Sequence, residues 1–246
     1  MVKLQCGSVT FDGIEAVIFD KDGTLADSQA YLRHLGQKRA HLINAQSPGT
    51  QAFLLRAFGL EDDRLHPGGL LAVGTRLENE IAAAIAVAAT GRDWMEATAI
   101  ARSAFLDADA ALHRKADYTP LFEGALPLLK TLAAQGVRLG IVSADSPHQV
   151  QDFVARYRLE SLISVAVGSE AGLSKPDPAL LYAACDRLGT PPTATLVIGD
   201  STADIQMAQA AGAAGCVGVS WGWAKSVLLE HADVVVHTLA EIYLHL

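Results

Sequence analysis

The sequence predicts an α/β fold: a three-layer core on a central parallel sheet, with an all-helical domain inserted after the first core strand. Three observations predict it. Short apolar runs, most of them β-branched, recur at EAVIFD (15–20), VRLGIVS (137–143), LISVAVG (162–168), ATLVIGD (194–200) and AGCVGVS (214–220). Segments of helical length separate the last four, and such alternation reads as parallel strands buried on both faces. Between the first and second runs lie over a hundred residues with helical patterning and no clear strand, too many for one crossover.

In chain order, KLQC and VTF near the start read as a small hairpin, and AVIF as the first core strand. Four helical stretches follow: QAYLRHLGQKRAHLINA (29–45), TQAFLLRAFG (50–59), RLENEIAAAIAVAATG (76–91) and DWMEATAIARSAFLDADAALHR (93–114). Thr75 and Glu78 form a capping box for the third, after a flexible loop, GGLLAVGT. The alanine bias of 82–89 points to close helix packing. ADYTPLF (116–122) leads back to the core, with Pro120 stiffening the return. The domains are therefore expected at 1–27 with 119–246 for the α/β core, and at 28–118 for the helical insertion. Within the core, EGALPLLKTLAAQG ends in Gly136, a residue suited to a helix C-terminus. PALLYAACDRLG runs from a proline to Gly189, the expected asymmetry. TADIQMAQAAG ends in Gly212, and DVVVH (233–237) supplies a sixth strand.

The chain has 246 residues, half of them hydrophobic, enough for one sizeable core plus a smaller inserted domain. A net charge of −8 argues against a nucleic-acid partner, which would need a basic face. Cys6, Cys185 and Cys216 are widely spaced, with no CxxC pair, so free buried thiols are expected rather than disulfides or a zinc site. The N-terminal stretch has no apolar signal region. The most apolar segment, IAAAIAVAA (81–89), is far shorter than the ~20 residues that cross a bilayer. A cytoplasmic protein without a membrane partner is expected.

In open parallel sheets, ligands bind beyond the carboxyl ends of the strands. Asp20 and Asp22 follow the first core strand, Ser143 ends the second, and Asp200 ends the fourth, with Asp204 one helical turn on. Any one of these could cap a helix or shape a turn; together they deliver polar groups to one edge. Asp20, Asp22 and Asp200 then need a counter-charge. Oxygen ligands without histidine or cysteine suit a hard cation, and Mg²⁺ is usual where phosphate shares the site. Gly23 and Gly199 allow close backbone approach. Thr24 either donates its hydroxyl to the site or caps the next turn.

These residues carry a resemblance. DKDGTLADS resembles the DxDGT signature of the haloacid dehalogenase (HAD) superfamily. Ser143 in GIVSAD, Lys175 in SKPDP and GDSTAD (199–204) are similar to its remaining motifs, in order. The likeness covers 15–237, implies a Rossmann-like core, and makes the insertion similar to the family's C1 cap. SKPDP, GDSTADI and ADVVVHTLAEI look most like the phosphoglycolate-phosphatase-like branch. The resemblance implies a Mg²⁺-dependent phosphatase for a small phosphorylated metabolite, working through an aspartyl-phosphate. Asp20 would attack phosphorus. Asp22 would protonate the leaving alcohol and then deprotonate water. Mg²⁺ would lie on Asp20, the Asp22 carbonyl and Asp200, with Ser201 and Asp204 behind them. Lys175, Ser143, Ala144 and Thr24 would contact the phosphoryl group. Asp204 would orient Lys175 or a metal-bound water.

The same resemblance leaves a phosphomutase of the β-phosphoglucomutase type as the alternative. A dehalogenase would not use Asp22. A phosphonate hydrolase would need a cap lysine, and only Lys38 stands in the early cap, on a face that reads as solvent-exposed. A silent metal- or phosphate-binding protein would have no use for the intact set. Other residues are less determined. Lys21 is expected to screen the two aspartates or point away. Asp27 and Ser28 are expected to cap the first inserted helix, with hinge duty as the alternative. Trp221 and Trp223 either border the cleft or pack in the core. Relatives often carry an amide or a base where this chain has Asp145. It is expected to turn outward and cap the 146–158 helix; pointing inward, it would suit a cationic group on the substrate. Arg76 is the candidate substrate contact in the insertion, against the reading of an ordinary exposed arginine.

Overall fold

The computed structural model describes residues 1–61, 64–112, 114–170, 172–223 and 229–245. The chain forms two compact units, one holding Met1–Asp27, Thr119–Gly222 and the C-terminal strands, the other Ser28–Tyr118. In chain order the elements are β1 (Val2–Cys6), β2 (Val9–Ile14), β3 (Ala16–Phe19), α1 (Gln29–Gln46), α2 (Gln51–Phe58), β4 (Leu60–Glu61), β5 (Arg64–Leu65), α3 (Leu70–Val73), α4 (Arg76–Ala88) and α5 (Trp94–Ala111). Then come α6 (Ala125–Ala134), β6 (Arg138–Ser143), α7 (Pro147–Arg156), β7 (Ile163–Gly168), α8 (Ala179–Leu188), β8 (Thr195–Gly199), α9 (Thr202–Ala211), β9 (Gly215–Val219), β10 (Val234–Val236) and β11 (Ile242–Leu244).

Six strands form the central sheet in the order β10-β9-β8-β3-β6-β7, and every neighbouring pair is parallel. The AVIF strand lies inside it, paired on one side with β6 and on the other with β8. All four of its residues are fully buried, because helices cover both faces. Successive side chains of a strand point to opposite faces. Val17 and Phe19 accordingly join Leu129, Leu132, Val150 and Phe153 in one layer. Ala16 and Ile18 join Leu181, Ala184, Ile205 and Ala208 in the other. Gly189 and Gly212 end α8 and α9 in left-handed conformation, as their placement predicts. Cys6, Cys185 and Cys216 are free and buried.

The expected hairpin forms from β1 and β2, and a third strand, β11, which the sequence did not signal, adds to its edge. In the second unit the capping box of Thr75 and Glu78 is present. Ala83, Ala84 and Val87 of α4 and Ala97, Ala101, Ala104 and Ala108 of α5 are buried, small residues that allow close helix approach. Two expectations fail here. The unit is not wholly helical, since β4 and β5 pair antiparallel. The GGLLAVGT loop contains the short helix α3, ordered by burial of Leu71.

The chain leaves the first unit and returns to it side by side. Ala26 bridges Leu121 antiparallel. The Asp27 amide donates to the Pro120 carbonyl at 2.8 Å, and the Phe122 amide to the Leu25 carbonyl at 2.9 Å. The expected side-chain cap at 27–28 is absent. Ser28 holds the N-cap position of α1, but its backbone is near-helical (φ −107, ψ −2) and its hydroxyl makes no capping bond. Capping side chains need an extended backbone at that residue.

Candidate active site

The carboxyl edge of the central sheet collects the predicted residues. Asp20 leaves β3 with its amide bonded to the Ile198 carbonyl of β8 at 2.8 Å. Asp200 leaves β8 directly beside it in the sheet, and Asp204 lies in the first turn of α9. The three carboxylates are buried and offer oxygen atoms within 4.8 Å of one another. Lys175 Nζ joins two of them, at 2.5 Å from Asp20 Oδ1 and 2.5 Å from Asp204 Oδ1. The other Asp204 oxygen is taken by Ser201: its amide donates at 3.1 Å and its hydroxyl at 2.5 Å. Asp204 is thus fixed twice, as a capping partner of α9 and as a brace for Lys175. Gly199 makes room for this, since a side chain there would come within 2.4 Å of the Asp204 carboxyl carbon.

Burial pushes the Asp20 carboxyl up to about 6; Lys175 opposes the shift, while Asp204 and Asp22 add to it. Burial also works against the Lys175 charge, but Asp20 and Asp204 outweigh it and hold the ammonium above the ordinary lysine range.

Thr24 is fully buried and donates its hydroxyl to Asp200 Oδ1 at 2.9 Å, so the structure shows it supporting a carboxylate. Ser143 is buried, and its hydroxyl accepts the Asp145 amide at 3.2 Å; Ala144 follows it, half-buried. The Asp22 carboxylate turns to Lys21, whose Nζ lies 2.6 Å from Asp22 Oδ1 and 3.0 Å from Asp145 Oδ2. Lys21 therefore does not point away: it is among the most deeply buried side chains.

Asp145 corrects the sequence reading. Ser146 caps α7, in a box with Gln149, and the Asp145 carboxylate instead pairs with Lys21. Ser146 wins the cap because its backbone is extended and its hydroxyl reaches the Gln149 amide. Arg76 opens α4 in the other unit, where Glu80 accepts from its Nε at 2.8 Å and Asp109 from its Nη1.

Two residues were underrated from sequence. Trp221 Nε1 donates to the Thr24 carbonyl at 3.0 Å. Gly222 lies so close to the DGT loop that a Cβ there would sit 2.0 Å from the Gly23 carbonyl oxygen. The signal available was SWGW at a strand end.

The donor set fits a hard cation. Among the described residues, Lys175 pairs with Asp20 and Asp204, Lys21 pairs with Asp22 and Asp145, and Asp200 lies within reach of Asp20 and Asp204. The ligand atoms of Asp20, Asp200 and Asp204 are oxygens, and among the described residues no histidine or cysteine belongs to that cluster.

Comparison with known proteins agrees with this geometry. The family model described as haloacid dehalogenase-like hydrolase matches residues 14–212. A phosphoglycolate phosphatase of Yersinia pestis is 28% identical over 241 residues, covering 95% of this chain and 94% of the relative. One from Pseudomonas syringae pv. syringae is 29% identical over 135 residues, 54% of this chain; the match spans about half of that relative, 49%. A crystal structure of a predicted phosphoglycolate phosphatase from Haemophilus somnus 129PT superposes with a TM-score of 0.69 at 21% identity, over 91% of this chain and 93% of that one, and shares the fold. With a family model matching residues 14–212, most of its length, the chain belongs to the haloacid dehalogenase-like hydrolases.

Proposed function

We propose that this hydrolase cleaves the phosphate monoester of a small metabolite, phosphoglycolate or a sugar phosphate, with Asp20 as nucleophile. One observation carries the reading: Asp20, at the end of the central strand, is held by Lys175 against Asp204, with Asp200 in reach of the same point. The names of the Yersinia and Pseudomonas relatives support the same substrate class.

Asp20 attacks phosphorus and forms an aspartyl-phosphate, which divides one difficult displacement into two easier ones. Asp22 gives its proton to the leaving oxygen, then takes one from the water that releases phosphate. Lys175 and the Ser143 hydroxyl, with the Ala144 backbone, meet the charge on the phosphoryl oxygens. Thr24 fixes Asp200, Ser201 fixes Asp204, and Asp204 fixes Lys175, so the charged groups reorganise little during reaction. Mg²⁺ on Asp20, Asp200 and the Asp22 carbonyl would supply the positive charge that lets an anionic carboxylate approach an anionic ester. In the helical unit, Arg76 is the candidate for contact with the rest of the substrate.

A screen of phosphate esters, aryl and alkyl, with and without Mg²⁺ tests this. Turnover of at least one alkyl monoester is expected, and EDTA should abolish it. Full activity in EDTA, or no ester turned over with Mg²⁺, would contradict the reading.

A further inference from the structure

Lys21 stands where the packing calls for an apolar side chain. Val17, Ile18 and Phe19 before it and Leu25 and Ala26 after it are fully buried, and Lys21 itself is 1% exposed. An ammonium removed from water is costly unless charged partners replace the hydration. Here two carboxylates and a ring do so: Asp22 at 2.6 Å, Asp145 at 3.0 Å and the face of Phe153 at 5.3 Å. The partners come from different strand ends. Asp22 follows β3, and Asp145 follows β6, where its amide also binds the Ser143 hydroxyl. Lys21 therefore ties the loop bearing Asp22 to the loop that follows Ser143 and bears Asp145.

We propose that Lys21, held by Asp145, is a positioning residue for Asp22. This rests on the phosphatase reading above. When the bond from phosphorus to the leaving oxygen breaks, the electron pair stays on that oxygen and the Asp22 proton moves to it. Lys21 takes no part in the transfer; it fixes the carboxyl group from which the proton leaves. The pairing also explains how an acid is tolerated two residues beyond Ser143. Its carboxylate is paired with the Lys21 ammonium, which offsets its repulsion of an anionic ester.

The test is kcat/KM of the full-length protein with Mg²⁺ on two esters. One is p-nitrophenyl phosphate, whose leaving group needs little protonation; the other is the fastest alkyl phosphate of the wild-type screen. Lys21→Met is expected to lower the alkyl-to-aryl ratio of kcat/KM by about tenfold or more, as loss of a well-placed general acid should. Asp145→Asn shifts the ratio the same way by less. Lys21→Met/Asp145→Asn removes one of the two carboxylates that Lys21→Met deprives of its ammonium, so it is the better-folded background, and its ratio matches that of Lys21→Met. Equal losses on both esters, or additive effects in the double variant, would reduce the pair to a packing contact and overturn the proposal. A wild type inactive on every alkyl ester would instead sink the phosphatase reading, and this inference with it.

Discussion

At Lys175 one ammonium keeps two buried carboxylates apart. It lies 2.5 Å from each, and its side chain is 5% exposed. Replacing it leaves Asp20 and Asp204 facing one another with no partner between them. In EDTA, Lys175→Met is expected to lower the unfolding free energy by about 3–5 kcal/mol, the usual cost of breaking a buried pair. Lys175→Met/Asp204→Asn should recover part of that, because one of the repelling charges is gone. Urea melts read both, and a single variant as stable as the wild type would contradict the geometry. The neighbouring residues show where sequence reasoning stops at this scale. Asp20, Asp200 and Lys175 were legible because each stands at a fixed offset from a strand or within a motif. The partner of Asp145 was not, because Lys21 is over a hundred positions away and the local signal favoured a cap. Ser146 holds the cap position with an extended backbone and a hydroxyl that accepts the Gln149 amide.

Among the elements, the loops after β3 and β9 depend on each other. Trp221 holds the Thr24 carbonyl, and Thr24 holds Asp200. Gly222 packs against Gly23 without room for a methyl group, the nearest atoms being backbone. Gly222→Ala must therefore displace the DGT loop. Overpacking of this kind costs about 1–3 kcal/mol, and here it falls on the loop that carries Asp22. The variant is expected to lose most of its kcat and to need more Mg²⁺ for half-activation, while its circular dichroism stays native. Wild-type kinetics would mean that the loop is not coupled to this contact. The central strands were readable because each is a continuous apolar run with both faces covered. By contrast, β11 is three residues long and carries Tyr243, about half exposed; only its pairing with β1 makes it a strand. The two-residue pairing of β4 with β5 is likewise too short to leave a pattern. Ser28 looked like a cap by residue type, and its near-helical backbone removed that role.

On the scale of the whole molecule, the chain divides its work between two units that the sequence marks by a change of period. Short apolar runs build the sheet that gathers the acids, and helical repeats build the insertion. The net charge of −8 gives no general attraction for an anionic ester, so the positive charge the chemistry needs must be local. The two buried lysines at the site are already committed to carboxylates. The Mg²⁺ of the proposed mechanism would supply further positive charge there. No helix among the described residues is long and apolar enough to cross a membrane. The proposed mechanism passes through phosphorylation of Asp20. Its most direct test is acid-quenched mass spectrometry of Asp22→Asn after brief exposure to p-nitrophenyl phosphate and Mg²⁺, since loss of the base should let the intermediate persist. One phosphoryl group is expected on the peptide containing Asp20, and none in Asp20→Asn. Ester hydrolysis that continues with no phosphoryl group on that peptide, or with one on another residue, would contradict it.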